Sequence, residues 1–158
     1  MIKTSNIVAI IDSREKKRLK LEYKPGETLN WEVGTLYTGD YSIQGLERLV
    51  CIERKSADDL LGSITKHRER FEKELQRMKG YETRCIVVES TWTDIEKGNY
   101  YSKMHPNSVL GTLMGFIAMG IPVIMAGSHK KAGIFVARML YITARRRYLE
   151  LEHLQGKH

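Results

Sequence analysis

The sequence has only two cysteines and no long apolar segment, and each of these shortages excludes a class of protein. Cys51 and Cys85 lie inside apolar runs, which predicts small buried side chains in a reducing compartment rather than a metal-binding pair. Residues 1–6 lack the apolar core of a signal peptide, and no apolar run is long enough to span a bilayer. We therefore expect a soluble intracellular protein, in the cytoplasm, nucleoid or nucleus according to its source.

Internal repeats, low-complexity tracts and linker-like segments are also missing from the sequence. A chain of 158 residues has the usual size of one domain with a sizeable core. We expect a single domain over residues 1–150, followed by a C-terminal tail over 151–158. The formal net charge of +7 indicates a polyanionic partner such as nucleic acid; the alternative is a charge that only serves solubility.

Two carboxylates and a lysine are arranged around one predicted β-hairpin. Asp40 precedes the first strand of this hairpin, and the returning strand, residues 49–55, carries Glu53 and Lys55. Because side chains alternate along a strand, Glu53 and Lys55 share one face and Arg54 points to the other. If the hairpin brings Asp40 beside Glu53, two carboxylates and an ammonium group converge on one spot.

Such a convergence suits a divalent-cation site for phosphodiester cleavage. Mg²⁺, or Mn²⁺ in its place, prefers hard oxygen ligands and retains several waters, so one or two carboxylates and a substrate phosphate suffice. The metal lowers the pKa of a bound water and polarises the phosphoryl group. Lys55 would orient that water or stabilise the charge on phosphorus, and the Arg54 carbonyl would add an oxygen ligand. The alternative is a solvated strand with a Glu–Lys pair, because this short pattern alone is weak.

Three motifs, in order, resemble those of the XPF-type structure-specific DNA nuclease domain of the restriction-endonuclease-like superfamily. They are Asp12-Ser13-Arg14-Glu15, Gly39-Asp40-Tyr41, and Glu53-Arg54-Lys55 followed by three residues and Asp59. The resemblance continues through a basic helix and the strand 85–89, and more loosely to about residue 145. It implies an α/β fold, with a restriction-endonuclease-like central mixed β-sheet flanked by helices.

The resemblance also implies a metal-dependent DNA endonuclease that acts near branches, flaps or junctions, in DNA repair or recombination. The acids of the family correspond to Asp12, Asp40 and Glu53. With the carbonyl of Arg54, these acids would hold Mg²⁺, or Mn²⁺ as a substitute. The catalytic lysine of the family corresponds to Lys55.

Further residues match the family around this site. Arg14 matches the arginine of the first motif and is expected to act in catalysis. Arg14, Arg68 and Arg70 are expected to contact DNA phosphates. The alternative for Arg68 and Arg70, which lie on a predicted helix, is surface pairing at i, i+4. Asp59 follows a serine at capping-box spacing, so we expect it to begin a helix and support the site from outside. Glu89 ends a predicted strand, as a supporting acid or a plain strand-end carboxylate.

Two helices stand out in the apolar pattern. The first is predicted as one continuous element over residues 57–79. The last, from about residue 130 to 147, is apolar on nearly all sides over 134–142, which predicts burial on all sides. One side can pack on the sheet, and a homodimer or a related nuclease subunit, which the resemblance also implies, would cover the other through Ala137 and Leu140. The alternative is a helix enclosed within the monomer.

Three functional hypotheses follow. Larger proteins with this nuclease domain carry helix-hairpin-helix modules that grip the minor groove, and this sequence ends at His158 without them. The first hypothesis is the metal-dependent DNA endonuclease. The second is a non-catalytic DNA-binding or scaffold subunit, against which every expected catalytic side chain is present. The third is another nuclease of the superfamily, such as a junction resolvase, for which the motif order is less typical.

Overall fold

The computed structural model describes residues 2–157 and is organised around a mixed β-sheet. The strands are β1 (Val8–Asp12), β2 (Glu22–Lys24), β3 (Glu27–Thr28), β4 (Asn30–Gly34), β5 (Tyr41–Ile43), β6 (Val50–Ser56), β7 (Thr83–Glu89) and β8 (Val123–Met125). The helices are α1 (Ala57–Ile64), α2 (Arg68–Met78), α3 (Trp92–Glu96), α4 (Pro106–Ala118) and α5 (His129–Leu154). Six strands form the central sheet, and β2 and β3 form a separate hairpin.

The strand order of the central sheet is β4-β1-β5-β6-β7-β8. β1 is parallel to β4 and antiparallel to β5, β5 is antiparallel to β6, and β6, β7 and β8 are parallel. In this register Ile11 lies opposite Tyr41, and Tyr41 lies opposite Ile52. The carboxyl end of β1, the start of β5 and the carboxyl half of β6 therefore meet at one end of the sheet. The expected central mixed sheet flanked by helices is confirmed.

Helices cover both faces of this sheet. On one face α5 packs against the sheet and the β2 strand, in a core that includes Tyr41, Ile52 and Leu140. Gly133 permits the close approach of α5, because a Cβ at that position would lie 2.2 Å from the carbonyl oxygen of Lys20. The opposite face is covered by a second apolar core that includes residues of α1, α2 and α4. The inner strands of the sheet are thus buried on both sides, whereas the edge strand β4 is largely exposed.

The prediction of one helix over residues 57–79 is wrong, since the segment forms two helices. α1 ends at Ile64, and Thr65 adopts φ −117° and ψ −89°. The Thr65 hydroxyl donates a hydrogen bond to the Leu61 carbonyl, a local bond of the kind by which threonine competes with helix continuation. α2 then starts at Arg68, so the intervening turn lies beside the carboxyl half of β6.

The prediction that α5 is buried on all sides is also wrong. Ala137 and Leu140 are fully buried within the monomer, so they belong to its core and not to an interface. Phe135 and Ile142 lie on the outer side, and Ile142 is 45% exposed. Within residues 2–157 no helix covers that side. α5 continues to Leu154, into the segment 151–158 that was expected to be a tail.

Across the described part of the chain, no helix combines the length and apolarity that a membrane span requires.

Candidate active site

Asp40 is fixed at the start of β5 by a tight approach to β6. Gly39 has φ +85°, and a Cβ there would lie 2.6 Å from Cys51 Sγ, so only glycine fits without strain. The Asp40 amide donates to the Ile52 carbonyl at 2.9 Å, and the Arg54 amide donates to Asp40 Oδ2 at 2.8 Å. The carboxylate of Asp40 is therefore held against the middle of β6.

Glu53 and Lys55 project from β6 on the face covered by α1 and α2, as alternation predicts. Lys55 Nζ lies 3.4 Å from Glu53 Oε1 and 4.9 Å from the centre of the Phe71 ring. Glu53 is only 5% exposed. Its Oε2 is the one buried side-chain nitrogen or oxygen atom of residues 2–157 that receives no hydrogen bond from an ordinary donor; the contact of Glu53 with the Glu74 carboxyl is a hydrogen bond only when one of the two acids holds a proton. Since buried polar atoms are nearly always satisfied, this atom points to a group supplied from outside.

In the absence of such a group, the two carboxyl groups hold their protons more tightly than ordinary carboxyl groups do. Burial raises the pKa of Asp40 to about 7, although the hydrogen bond from the Arg54 amide opposes the shift. Burial also raises the pKa of Glu53 well above its ordinary value, and the nearby carboxylates of Asp40 and Glu74 raise it further. A bound cation would relieve both effects, because an opposite charge stabilises the ionised carboxylates.

Asp12 lies at the end of β1 but its carboxylate is engaged. Its Oδ1 accepts the Leu36 amide at 2.9 Å, and its Oδ2 accepts Arg14 Nε at 2.8 Å. Burial raises the pKa of Asp12, but these bonds outweigh that effect and hold it below its ordinary value. In the described residues, no three His, Cys, Asp or Glu side chains are arranged to hold a metal ion. The structure brings together Asp40 and Glu53, and directs Asp12 to Arg14.

Arg54 occupies the other face of β6, where it forms a buried ion-pair cluster. Its guanidinium donates to both carboxylate oxygens of Glu15 at 2.9 Å and to Glu89 Oε1. The hydrogen bonds that Arg54 donates to Glu15 raise the pKa of Arg54 above its ordinary value. Burial raises the pKa of Glu89, but hydrogen bonds with His129 and Arg54 hold it below its ordinary value. Glu89 therefore supports β6 by anchoring Arg54, and Glu15, for which the sequence suggested no role, does the same.

Two clefts open over these residues. The first, which we call the central cleft, has a volume of about 440 Å³ and contains Asp40, Glu53 and Lys55. Its lining also includes His67 and the cationic residues Lys16, Lys17 and Arg70. The second, the side cleft, has a volume of about 310 Å³ and is lined by Asp12, Arg14, Tyr37, Thr38, Gly39, Asp40, Arg70, Glu74 and Arg77. Arg14, Asp40 and Arg70 line both clefts, so the two adjoin at these residues.

The remaining predicted residues divide between this site and other surfaces. Arg70 lines both clefts, whereas Arg68 pairs with Glu72 at 2.9 Å and lines a groove between α2 and α4. The Asp59 amide donates to Ser56 Oγ at 3.1 Å, which confirms that this motif begins α1, and its side chain lines the central cleft.

Glu74 and Arg77 of α2 also reach the side cleft, and the sequence reasoning missed them. A usable signal was present: Arg70, Glu74 and Arg77 are spaced at i, i+4 and i+7, which places them on one helical face. That face is the one turned towards Asp40. Of these three residues, only Arg70 was expected from the sequence to contact DNA.

Comparison with known proteins identifies the class to which this fold and site belong. The ERCC4 domain family matches residues 11–139, so the chain belongs to the ERCC4 domain family, a family of DNA endonucleases. No curated protein matches the chain.

Solved structures that share this fold include two of XPF. XPF from Aeropyrum pernix matches with a TM-score of 0.68 and 18% identity, over 86% of this chain and 61% of that one. XPF from Aeropyrum pernix in complex with DNA matches with a TM-score of 0.67 and 18% identity, over 88% of this chain and 66% of that one. The chain thus spans less than two thirds of these XPF structures and has the fold of their nuclease domain, as the motifs predicted.

Proposed function

We propose that this domain is a metal-dependent DNA endonuclease that hydrolyses phosphodiester bonds at branched, flap or junction DNA. The observation that carries the proposal is the buried, unpartnered Oε2 of Glu53. The other oxygen of this carboxylate, Oε1, lies 3.4 Å from Lys55 Nζ, and both residues line a cleft with Asp40. An uncompensated buried carboxylate is costly to a fold, and a ligand that completes it explains why it is retained. Family membership supports DNA as the substrate.

The residues fit a hard divalent cation. Mg²⁺ is usually bound through one or two carboxylates with several retained waters, and Asp40 with Glu53 provides such a pair. Asp12 and the Arg54 carbonyl are the further ligands that we propose; Asp12 would first have to release Arg14, to which it is bonded. When bound, Mg²⁺ or Mn²⁺ would polarise the phosphoryl group and lower the pKa of a coordinated water.

The other charged residues of the clefts have roles that follow from their positions. Lys55 Nζ, next to Glu53, would orient the attacking water or stabilise negative charge on the phosphoryl oxygens. Arg14 is held by Asp12 at the mouth shared by both clefts and would contact a phosphate on either side of the cut. Arg70 would bind the same strand from α2, because it faces both clefts.

We also propose that the domain associates with a second copy of itself or with a related nuclease subunit. Phe135, Ile142 and Leu149 are exposed large apolar residues of α5. They recur every seven residues, which places them along one side of the helix. Burial of this stripe against a partner would remove apolar surface from water. A role in DNA repair or recombination follows from the proposed branched substrate.

Cleavage assays on a panel of labelled DNAs test the catalytic proposal. Flap, fork, junction and linear duplex substrates are incubated with and without Mg²⁺ or Mn²⁺. We expect metal-dependent cleavage that is fastest on the branched DNAs. Glu53→Gln should reduce the rate at least about 100-fold, since loss of residues that only support metal ligands already costs about 10- to 100-fold.

Glu69→Gln is the matched control, because Glu69 is a highly exposed glutamate of α2 and should leave the rate unchanged. Cleavage by Glu53→Gln at the wild-type rate would contradict the proposed site. Tight DNA binding by the wild-type protein without cleavage of any substrate would instead favour the non-catalytic subunit.

A further inference from the structure

Tyr37 is a large exposed side chain on a firmly held backbone. It is 80% exposed, yet its neighbours Leu36 and Thr38 are both buried. The Leu36 amide donates to Asp12 Oδ1 at 2.9 Å. The Leu36 carbonyl accepts Arg14 Nη2 at 2.8 Å. The segment that carries the Tyr37 ring is therefore fixed to the site.

The residue after Tyr37 is anchored as well. The Thr38 carbonyl accepts the Cys51 thiol at 3.4 Å, and Thr38 Oγ1 accepts Arg77 Nε at 2.9 Å. A mobile loop tip would make an exposed tyrosine unremarkable, but this position is tied on both sides to strands and to α2. The ring is thus presented to solvent by a rigid support, as preorganised binding residues are.

The position of the ring relates it to the proposed reaction. Tyr37 lines the side cleft, which adjoins the central cleft at Arg14, Asp40 and Arg70. A DNA strand whose scissile phosphate lies beside Asp40 and Glu53 would place an adjoining nucleotide in the side cleft. There Arg70 and Arg77 supply positive charge for its phosphate. The side-cleft volume of about 310 Å³ is at the lower end of the range for small-ligand sites.

We propose that Tyr37 and the side cleft form a subsite for one unpaired nucleotide that flanks the scissile phosphate. The base stacks on the tyrosine ring, which accepts any base because every base has an aromatic face. A base inside a duplex is already stacked on both sides, so the subsite selects DNA in which the nucleotide next to the cut is unpaired. This inference rests on the proposed nuclease function and specifies its substrate class.

The test measures stacking and binding in a Glu53→Gln background, where the DNA stays intact. The probes are a flap DNA with 2-aminopurine as the unpaired nucleotide at the junction, and a fully paired duplex with 2-aminopurine at the same position. Tyr37→Ala removes the ring, and Tyr37→Phe keeps the ring without the hydroxyl. Tyr101→Ala is the matched control, because Tyr101 is 93% exposed and lines neither cleft.

We expect Tyr37→Ala to weaken binding of the flap DNA about tenfold, in the range of base–aromatic stacking, and to abolish the quenching of 2-aminopurine. Duplex affinity should change less than about twofold by the same reasoning. Tyr37→Phe and Tyr101→Ala should retain both affinity and quenching. Equal losses on flap and duplex, or no loss on either, would overturn the subsite.

Cleavage by the unmodified protein separates failure of the subsite from failure of the nuclease proposal. If the wild-type protein cleaves flap DNA and needs Glu53, but Tyr37→Ala retains flap binding and quenching, only the subsite is wrong. If the wild-type protein neither binds nor cleaves DNA, the nuclease proposal fails and the subsite fails with it.

Discussion

Glu53 and Arg54 are consecutive residues of β6, and they show two opposite solutions to a buried charge. On one face, each of the three guanidinium nitrogens of Arg54 donates a hydrogen bond, two of them to the oxygens of Glu15 and one to an oxygen of Glu89. On the other face, Glu53 has Lys55 nearby but keeps one oxygen without a partner. The two side chains are similarly buried, at 5% and 8% exposure. We call the face with Arg54, Glu15 and Glu89 the completed face, because its buried charges are paired. We call the face with Asp40, Glu53 and Lys55 the open face, because Glu53 keeps an unpartnered oxygen there.

The largest expected effect on stability comes from breaking the ion pairs of Arg54 on the completed face. Arg54→Met should destabilise the protein by about 3–5 kcal/mol, because it leaves the carboxylate of Glu15 buried without its partner. Chemical denaturation of the purified variant measures this loss. The double variant Arg54→Met/Glu15→Gln should recover part of the stability. A single variant as stable as the wild-type protein would show that the cluster is not structural.

On the open face, removal of the charge of Glu53 should increase stability, whereas removal of the charge of Arg54 should decrease it. The folded-state pKa values of Asp40 and Glu53 are raised, to about 7 for Asp40. Their contribution to stability is therefore present below the ordinary carboxyl values and lost as the pH rises through the raised values. Without metal, Glu53→Gln should be more stable than the wild-type protein at pH 8, because glutamine has no buried charge to compensate.

Thermal unfolding in EDTA between pH 5 and 8 measures this difference, which should shrink at the acid end. Glu89→Gln is the comparison variant. The folded-state pKa of Glu89 is lowered, so its contribution is present above the ordinary value and lost as the pH falls. Glu89→Gln should therefore destabilise the protein at pH 8. If Glu53→Gln and Glu89→Gln changed the stability at pH 8 in the same direction, the contrast between the two faces would be wrong.

A similar contrast exists along α5, between Leu140, which is buried in the core, and Ile142, which is 45% exposed. Ile142→Glu should weaken self-association about tenfold, or about 1.4 kcal/mol, without loss of monomer stability. Leu140→Glu should instead unfold the protein, because it buries a charge. Sedimentation with denaturation distinguishes the two. A wild-type protein that stays monomeric at high concentration would argue against the proposed self-association.

The smallest expected effect concerns the two arginines of α2. Arg70 faces both clefts, whereas Arg68 is paired with Glu72. Arg70→Ala should weaken DNA binding several-fold and reduce the salt dependence by about one phosphate contact. Arg68→Ala should have little effect. Salt titrations of DNA affinity for both variants check this order, and a larger effect of Arg68→Ala would reverse the assignment of the DNA-facing side of α2.

The open face could largely be predicted from the sequence, and the completed face could not. Strand alternation places Glu53 and Lys55 on one side of β6, and the hairpin brings Asp40 to them, because both are local consequences of β geometry. The cluster of Arg54 with Glu15 and Glu89 joins residues far apart in sequence and depends on how the strands are ordered. The orientation of Asp12 depends on the amide of Leu36 and on the Arg14 rotamer, which no spacing rule fixes.

The helices show the same limit in other terms. The break at Thr65 is a change of backbone dihedral angles at one residue, accompanied by one hydroxyl bond to a carbonyl, and hydrophobic periodicity does not detect it. The sequence shows that the outer side of α5 is apolar. Whether Phe135 and Ile142 are buried depends on which other element packs against them. Periodicity identifies a face that can be buried, and only the tertiary arrangement decides which faces are buried within one chain.

The most direct test of the central claim is Mn²⁺ binding, measured by electron paramagnetic resonance or calorimetry on the wild-type protein, Glu53→Gln and Glu89→Gln without DNA. We predict that the wild-type protein binds Mn²⁺, that Glu53→Gln loses this binding, and that Glu89→Gln, on the completed face, retains it. Undiminished binding by Glu53→Gln, or its loss in Glu89→Gln alone, would contradict the account.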